Sequence, residues 1–416
     1  MNTYKTTLLV AALALQSSVI TAEDFLGGGD FDFDSSEIET QAPHWTDGFK
    51  TTLAHNHTQV PGDINREQSS LQIEFERNLA EGWYLQLDSR YRYFWHEDDF
   101  AENRGDAYHN IKWQRASIQY SQGACTATLG RQGLIWGSVE GTFVTDIVTP
   151  FDYTEQLLTD YGTVRLHQDM LVGECFSGKA QLQAFYTPEA KNDIYQHHPL
   201  QITLAPGAPP LTLDADPDEE FGLRFKWHGS GFDLSLMAAR LFDNTPTPVF
   251  LGPTSGFEAQ LAQFNMLGAA SSVAVGRLLI KAEAAYRSQQ ITPISGDKDS
   301  RADVALGFEF TTRTNHMLNG GIWAARFQDQ QAKQQDFEVL TVGWRKTYLN
   351  DDLTMSLLGN RSSEPKFSMV TVLADYQWND YLSTSFALTL ADLNSTTPIP
   401  IAPAEESATL SIKYEF

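Results

Sequence analysis

From Trp45 to its end, the chain alternates apolar and polar residues in short runs. In Trp83–Trp95, Leu85, Leu87, Tyr91, Tyr93 and Trp95 share one face, opposite Gln86, Asp88, Arg90, Arg92 and Phe94. Phe221, Leu223, Phe225 and Trp227 oppose Arg224, Lys226 and His228. Ile280, Ala282, Ala284 and Tyr286 oppose Lys281, Glu283 and Arg287, and Val304, Leu306, Phe308 and Phe310 oppose Asp303 and Glu309. The final run, Ala408 to Phe416, places Ala408, Leu410, Ile412, Tyr414 and Phe416 on one side. A period of two is the signature of strands, whose successive side chains point to opposite faces.

Short turns and longer polar loops separate these runs in alternation. The short turns fall at Ala80-Glu81-Gly82, Gln122-Gly123-Ala124, Ser177-Gly178-Lys179, Gly229-Ser230-Gly231, Gly276-Arg277, Thr314-Asn315, Leu349-Asn350-Asp351 and Trp378-Asn379-Asp380. Gly, Asn and Asp there supply the positive-φ positions of tight hairpins. Long loops are expected near Val60–Glu67, Glu97–Ala107, Gly137–Asp160, Pro188–Asp218, Asn244–Gly256, Pro293–Ser300, Asp329–Lys333, Asn360–Lys366 and Leu393–Ala404. This rhythm predicts an all-β protein, a transmembrane antiparallel β-barrel of about 18 strands, with about 16 as the alternative count. A water-soluble sandwich also has one wet and one apolar face, so the alternation alone does not decide. The signal-like beginning, the hairpin length rhythm and the terminal Phe416 together point to a wet-lined barrel and not two layers packed on a dry core.

Hydropathy alone would read differently. Hydrophobic residues make up 42% and mean hydropathy is −0.32. No stretch after the first residues approaches the roughly 20 apolar residues a membrane helix needs. Barrels give this low average because outward and inward residues alternate. The beginning of the chain has its own pattern. Lys5, an apolar run from Leu8 to Leu15 and the small-residue exit Ile20-Thr21-Ala22 describe a secretory signal peptide over residues 1–22, cut after Ala22. Residues 23–44 are acidic and Gly-rich, with a repeated Phe-Asp pattern, and read as a flexible periplasmic segment; docking a partner or plugging the pore are its other readings. Residues 45–416 form the barrel.

Charge narrows the function. Against 29 basic residues stand 53 acidic ones, a net charge of −24. Nucleic-acid binding wants a basic footprint and is excluded as a reading. Acidic loops suit a surface-exposed protein whose partners are outer-membrane lipid and lipopolysaccharide. Within this acidic chain, Arg90, Arg92, Arg115, Arg165, His167, Arg224, Lys226, Lys281 and Arg287 fall at inward parity, with Asp88, Asp169 and Glu283 among them. A charged lining selects ions by sign, and the arginine fork suits carboxylates. These residues are the candidate pore lining for anionic solutes. The competing reading is a set of paired charges that keeps the bore wet and stable.

Two cysteines, Cys125 and Cys175, lie beside periplasmic turns of antiparallel neighbours. In an oxidising periplasm they are expected to form a cross-strand disulfide, although parity places Cys125 outward and Cys175 inward. There is no G-x-S-x-G, no H-E-x-x-H and no nucleotide-binding Gly-rich loop, so no enzyme is expected. His55-x-His57 and His197-His198 are isolated pairs; no metal and no cofactor is expected.

The stretch from Gly130 to Asp152, GRQGLIWGSVEGTFVTDIVTPFD, loses its alternation after the first few residues. Its glycines suit bends or close backbone approach, and Pro150 stops any strand. Through Gly130, Arg131, Gln132, Trp136, Gly137, Pro150 and Asp152 it resembles a group of gammaproteobacterial outer-membrane barrels, the alginate-export porins and a related uncharacterised barrel family. Thr149 stands where that pattern usually has Asn. The resemblance implies a substrate-conducting barrel and leaves the substrate open. A loop near 133–160 is expected to fold inward as a constriction, with Arg131 near its base. The closing strand, ending on Phe416, resembles the last strand of bacterial outer-membrane barrels, which implies that Phe416 is read by the barrel-insertion machinery. Two functions follow as expectations: an outer-membrane channel for anionic or oligomeric solutes, or a conduit for lipid or hydrophobic compounds working with an inner-membrane exporter. A structural or adhesive role through the loops ranks third.

Overall fold

A computed structural model describes residues 48–59, 65–95, 109–152, 164–194, 211–214, 217–252, 256–292, 295–328, 336–363, 366–393 and 406–416. The expected signal peptide, the acidic segment 23–44, His197-His198 and the middle of several long loops lie outside them.

Eighteen strands form one closed antiparallel ring. In chain order they begin with β1 (Phe49–Gln59), β2 (Asn65–Ala80), β3 (Trp83–Phe94), β4 (His109–Gln122), β5 (Cys125–Gln132), β6 (Gln168–Ser177) and β7 (Ala180–Thr187). A short strand off the ring, β8 (Leu211–Asp214), precedes β9 (Glu220–His228) and β10 (Phe232–Phe242). Two more off the ring, β11 (Thr247–Gly252) and β12 (Gly256–Gln260), precede β13 (Gln263–Val275), β14 (Leu278–Ile291) and β15 (Lys298–Thr311). The ring continues through β16 (Met317–Phe327), β17 (Phe337–Tyr348), β18 (Leu353–Ser363), β19 (Lys366–Gln377), β20 (Leu382–Leu393) and β21 (Ser407–Glu415). Closure comes from β1 against β21, with Thr52 opposite Glu415 and Gln59 opposite Ala408. Two backbone hydrogen bonds between Thr51 and Phe416, at 2.8 and 2.9 Å, extend it to the last residue. Closing the ring gives each of its eighteen strands a neighbour on both sides, so the wall has no edge strand.

The outer face is apolar all round. Leu267 is 63% and Ile111 65% exposed, and Phe416 itself projects outward. Water does not tolerate so continuous an apolar surface, whereas a hydrocarbon layer requires it. The tight turns use the expected conformations, with positive φ at Gly82, Gly123, Gly178, Gly231, Gly276 and Asn315.

Several expectations are corrected. Asn360–Lys366 is no loop: β18 runs to Ser363 and β19 starts at Lys366. Pro188–Asp218 and Asn244–Gly256 are not plain loops either. They contribute β8 and β11, which join β12 in a separate three-stranded sheet, β8 parallel to β12. The wall is uneven. Strands β5 and β7 have 8 residues and β9 has 9, against 14 in β14 and 16 in β2. The wall is therefore lowest where the chain leaves it at Gln132 and rejoins it at Gln168.

A dry core occupies part of the bore, contrary to the wet-lined expectation. Leu134, Trp136, Val139, Val144, Ile147 and Val148 come from the segment between β5 and β6. They pack against inward side chains of the wall, among them Met170, Phe185, Met237, Phe264, Met266 and Trp323. Burying a side chain of this size contributes about 1.5–3 kcal/mol, so the segment is held as a core element.

Candidate functional site

The segment 133–152 and its return at 164–167 lie inside the barrel. Its tip, Gly141, faces Thr341 of β17, where a Cβ would lie 3.2 Å from the threonine hydroxyl oxygen. In the ring, β17 stands half-way round from β5, so the loop crosses the whole bore. Its two arms approach closely at Gly137, where a Cβ would lie 2.5 Å from Asp146 Cβ. Only glycine fits there, which accounts for one residue of the Trp-Gly pair.

A single carboxylate on β14 holds the tip. Glu283 is 2% exposed. Its Oε1 accepts hydrogen bonds from Ser138 N, from Ser138 Oγ at 3.0 Å and from Val139 N at 2.7 Å. Its Oε2 accepts from Thr145 N at 3.2 Å and Thr145 Oγ1 at 2.8 Å. Loop N–H groups that could not reach a strand partner are thereby satisfied, as buried donors require. Two residues before it and four after it on β14, cations do the same for the loop's acceptors. Lys281 pairs with Glu140 of the loop and Glu309 of β15. Arg287 donates to the carbonyls of Phe143 and Val144 and faces Asp303 at 3.3 Å. Burial pushes the Glu140 carboxyl up, against the pull of Lys281.

On the nearer side, Arg224 of β9 donates to Ile135 O at 3.0 Å, with its guanidinium 5.9 Å from the Trp136 ring. Trp136 Nε1 donates to Gln183 Oε1 at 2.9 Å, and the ring meets Phe185 edge-on at 5.3 Å. Gln132 donates to Thr128 O and Met170 O. The returning arm is tied by Leu166 N to Pro150 O at 2.8 Å. Burial, reinforced by the charges of Arg115, Lys112 and Arg165, lowers His167 to about 4, so it is neutral at pH 7.

The basic residues named from the sequence thus divide. Arg90 and Arg92 project from the inner face of β3 and are buried. Arg115 projects from β4 opposite Asp88 and lies 3.9 Å from Glu76. Lys226 and His228 are on the inner face of β9, His228 against Asp233 at 3.0 Å. Arg224, Lys281 and Arg287 instead fasten the loop. Arg165 is not on a wall strand: it sits in the loop, ion-paired with Asp146, its guanidinium 5.0 Å from the Phe151 ring. Lys112, missed from the sequence, lies opposite Arg90 on the inner face. A bulge between Trp113 and Arg115 shifts the alternation of β4, so counting back from Arg115 puts Lys112 on the wrong side.

Arg131 is the next-to-last residue of β5, beside the loop's start, but its side chain does not enter the bore. It points outward and makes a bidentate pair with Asp169, Nε to Oδ1 at 3.0 Å and Nη2 to Oδ2 at 2.6 Å. Asp169, taken from the sequence as inward, is on the outer face too. The parity of β6 is reversed because Met170 and Val172 face in against the loop, with Leu171 between them facing out. For the same reason Cys175 points outward. The structure places it directly opposite Cys125, bonded to it, with the Cα atoms 4.1 Å apart. That link joins the two strands carrying the loop, at the end far from it.

Asp152 completes the arrangement. Its carboxylate is 3.0 Å from Lys112 Nζ and 3.5 Å from Arg92 Nη1, and 1% exposed. The inner face of β3 and β4 thus carries Arg90, Arg92, Lys112 and Arg115, with the loop's acid beside them. Among the described residues no group of three or more metal-binding side chains occurs.

No protein-family model matches the chain, and no curated protein matches it in sequence. Solved structures do match in fold. Acinetobacter baumannii OccAB2 aligns with a TM-score of 0.58 and 9% identity, over 89% of this chain and 97% of that one. Pseudomonas aeruginosa OccK2 (OpdF), solved in complex with glucuronate, gives 0.56 and 10% over 89% and 97%. Pseudomonas aeruginosa OpdK, solved with vanillate, gives 0.56 and 9% over 88% and 98%. At these identities the likeness is one of fold: an 18-stranded closed barrel shared with the Occ and Opd outer-membrane porins.

Proposed function

We propose that the chain is an outer-membrane channel for small anionic solutes, narrowed by the segments 133–152 and 164–167 and lined on one side by the cations of β3 and β4. The observation that carries this reading is the position of Arg90, Arg92 and Lys112 on adjacent inner-face positions, next to a loop fixed across the bore. Charge of one sign on a low-dielectric wall raises the local concentration of the opposite ion. Glucuronate and vanillate, bound by two proteins of the same fold, both carry a carboxylate, which suits an arginine fork. The alginate-export-like pattern of Gly130–Asp152 extends the class to oligomeric acids. The apolar residues in the bore are closed against each other as a core, and so lend no support to a hydrophobe conduit.

The reading is tested with proteoliposomes. Glucuronate should enter faster than glucose, a neutral solute of similar size, and the difference should shrink as salt screens the bore. Equal rates at low salt would count against an anion channel.

A further inference from the structure

We propose that Asp152 is the chain's own counter-ion for the Arg92–Lys112 pair and sets how strongly the bore prefers anions. The inference rests on the anion-channel reading and names a residue that limits it. The carboxylate lies 3.0 Å from Lys112 Nζ and 3.5 Å from Arg92 Nη1. Those are the distances a solute carboxylate would take on the same two cations. A tethered acid in that position neutralises part of the cationic wall and competes with any solute acid that reaches it.

The carboxylate is not what holds the loop in place. The main chain at Phe151 and Asp152 is fixed from other elements. Phe151 N donates to Asp193 Oδ1 at 2.7 Å. Ile194 N donates to Phe151 O at 2.8 Å, and Asp152 N to Val164 O at 2.6 Å. Asp193 is itself held, its N–H donating to Asn244 O at 3.0 Å and its Oδ2 accepting from Thr245 Oγ1 at 2.9 Å. The cations are also positioned independently. Arg92 Nε donates to Asn110 Oδ1 at 2.9 Å, and its guanidinium lies 5.6 Å from the Phe94 ring centroid. Lys112 comes from a strand paired on both sides over its lower half and with β3 at its own level. An Asp152→Asn change keeps the shape, removes one negative charge and leaves both cations where they are. The loop's placement depends chiefly on Glu283, Arg287 and Lys281, on the other side of the bore.

The test compares wild-type protein with Asp152→Asn and Asp152→Ser in planar bilayers under a potassium chloride gradient, with acetate then added as a blocking carboxylate. Both variants should raise the anion-to-cation permeability ratio severalfold, be blocked by acetate at a severalfold lower concentration, and keep the heat-modifiable gel mobility of a folded barrel. A ratio and an acetate block equal to wild type in both variants would overturn the inference. So would a large rise in conductance with loss of selectivity, which would make Asp152 a strut. If wild type shows no anion preference, the anion-channel reading fails by itself, and the shift between wild type and the variants still decides the role of Asp152.

Discussion

Replacing Glu283 by Ala is expected to free the loop and raise unitary conductance severalfold while the barrel stays closed. Three backbone N–H groups and two hydroxyls converge on this carboxylate, and it is buried. Hydrogen bonds to a charged group contribute about 1.5–3 kcal/mol each. They are not additive, so the loss for the anchored loop is on the order of 3–5 kcal/mol, as for breaking other buried charged contacts. That loss falls on the stretch 138–145, which Glu283 holds, and is expected to loosen it. The wall does not depend on Glu283 in the same way, because the backbone of β14 is laddered to β13 and β15 along most of its length. Retained heat-modifiable mobility on a gel, together with noisy, larger single-channel steps, would be the expected pair of results. Unchanged conductance in a folded variant would mean that the apolar contacts alone hold the loop.

Changing Arg90 and Arg92 together to Gln is expected to lower the anion-to-cation permeability ratio severalfold. Lys112 is retained so that Asp152 keeps its ion pair at 3.0 Å, because breaking a buried charge pair from one side is destabilising. Arg165 is a poor choice for this experiment even though its sequence position suggests it. It pairs with Asp146 inside the loop, and its loss would move the loop as well as the charge. Reversal potentials of the double variant indistinguishable from wild type would remove these arginines from the selectivity account.

Strands whose inner face is polar could be read directly from the sequence. In β3, β9, β14 and β15 the large apolar residues at outward parity are exposed or half-buried and Phe94, at inward parity, is buried, as the alternation predicts. The reading failed where the bore is dry. Met170 and Val172 face inward, so assigning apolar residues to the outside reversed β6 and misplaced Asp169 and Cys175. No local signal gives that away, because an inner face becomes apolar only when a distant loop covers it. Lys112 was hidden by one extra residue in β4. Glu283 was visible as an inward acid among cations, but its partners are about 140 positions earlier in the chain. What it binds follows from the loop crossing the bore, and no spacing in the sequence encodes that crossing. Of the nine basic residues assigned to the lining, Arg224, Lys281 and Arg287 fasten the loop, and Arg165 and His167 belong to its returning arm. For the residues that fasten or form the loop, the paired-charge reading describes what the side chains do.

The most direct measurement is the reversal potential of the wild-type protein in a planar bilayer under a potassium chloride gradient at low ionic strength. A potential on the chloride side, collapsing toward zero as salt is raised on both faces, is the predicted result, because screening shortens the reach of the β3–β4 cations. A potential on the potassium side, or a folded barrel that passes no current, would contradict the account.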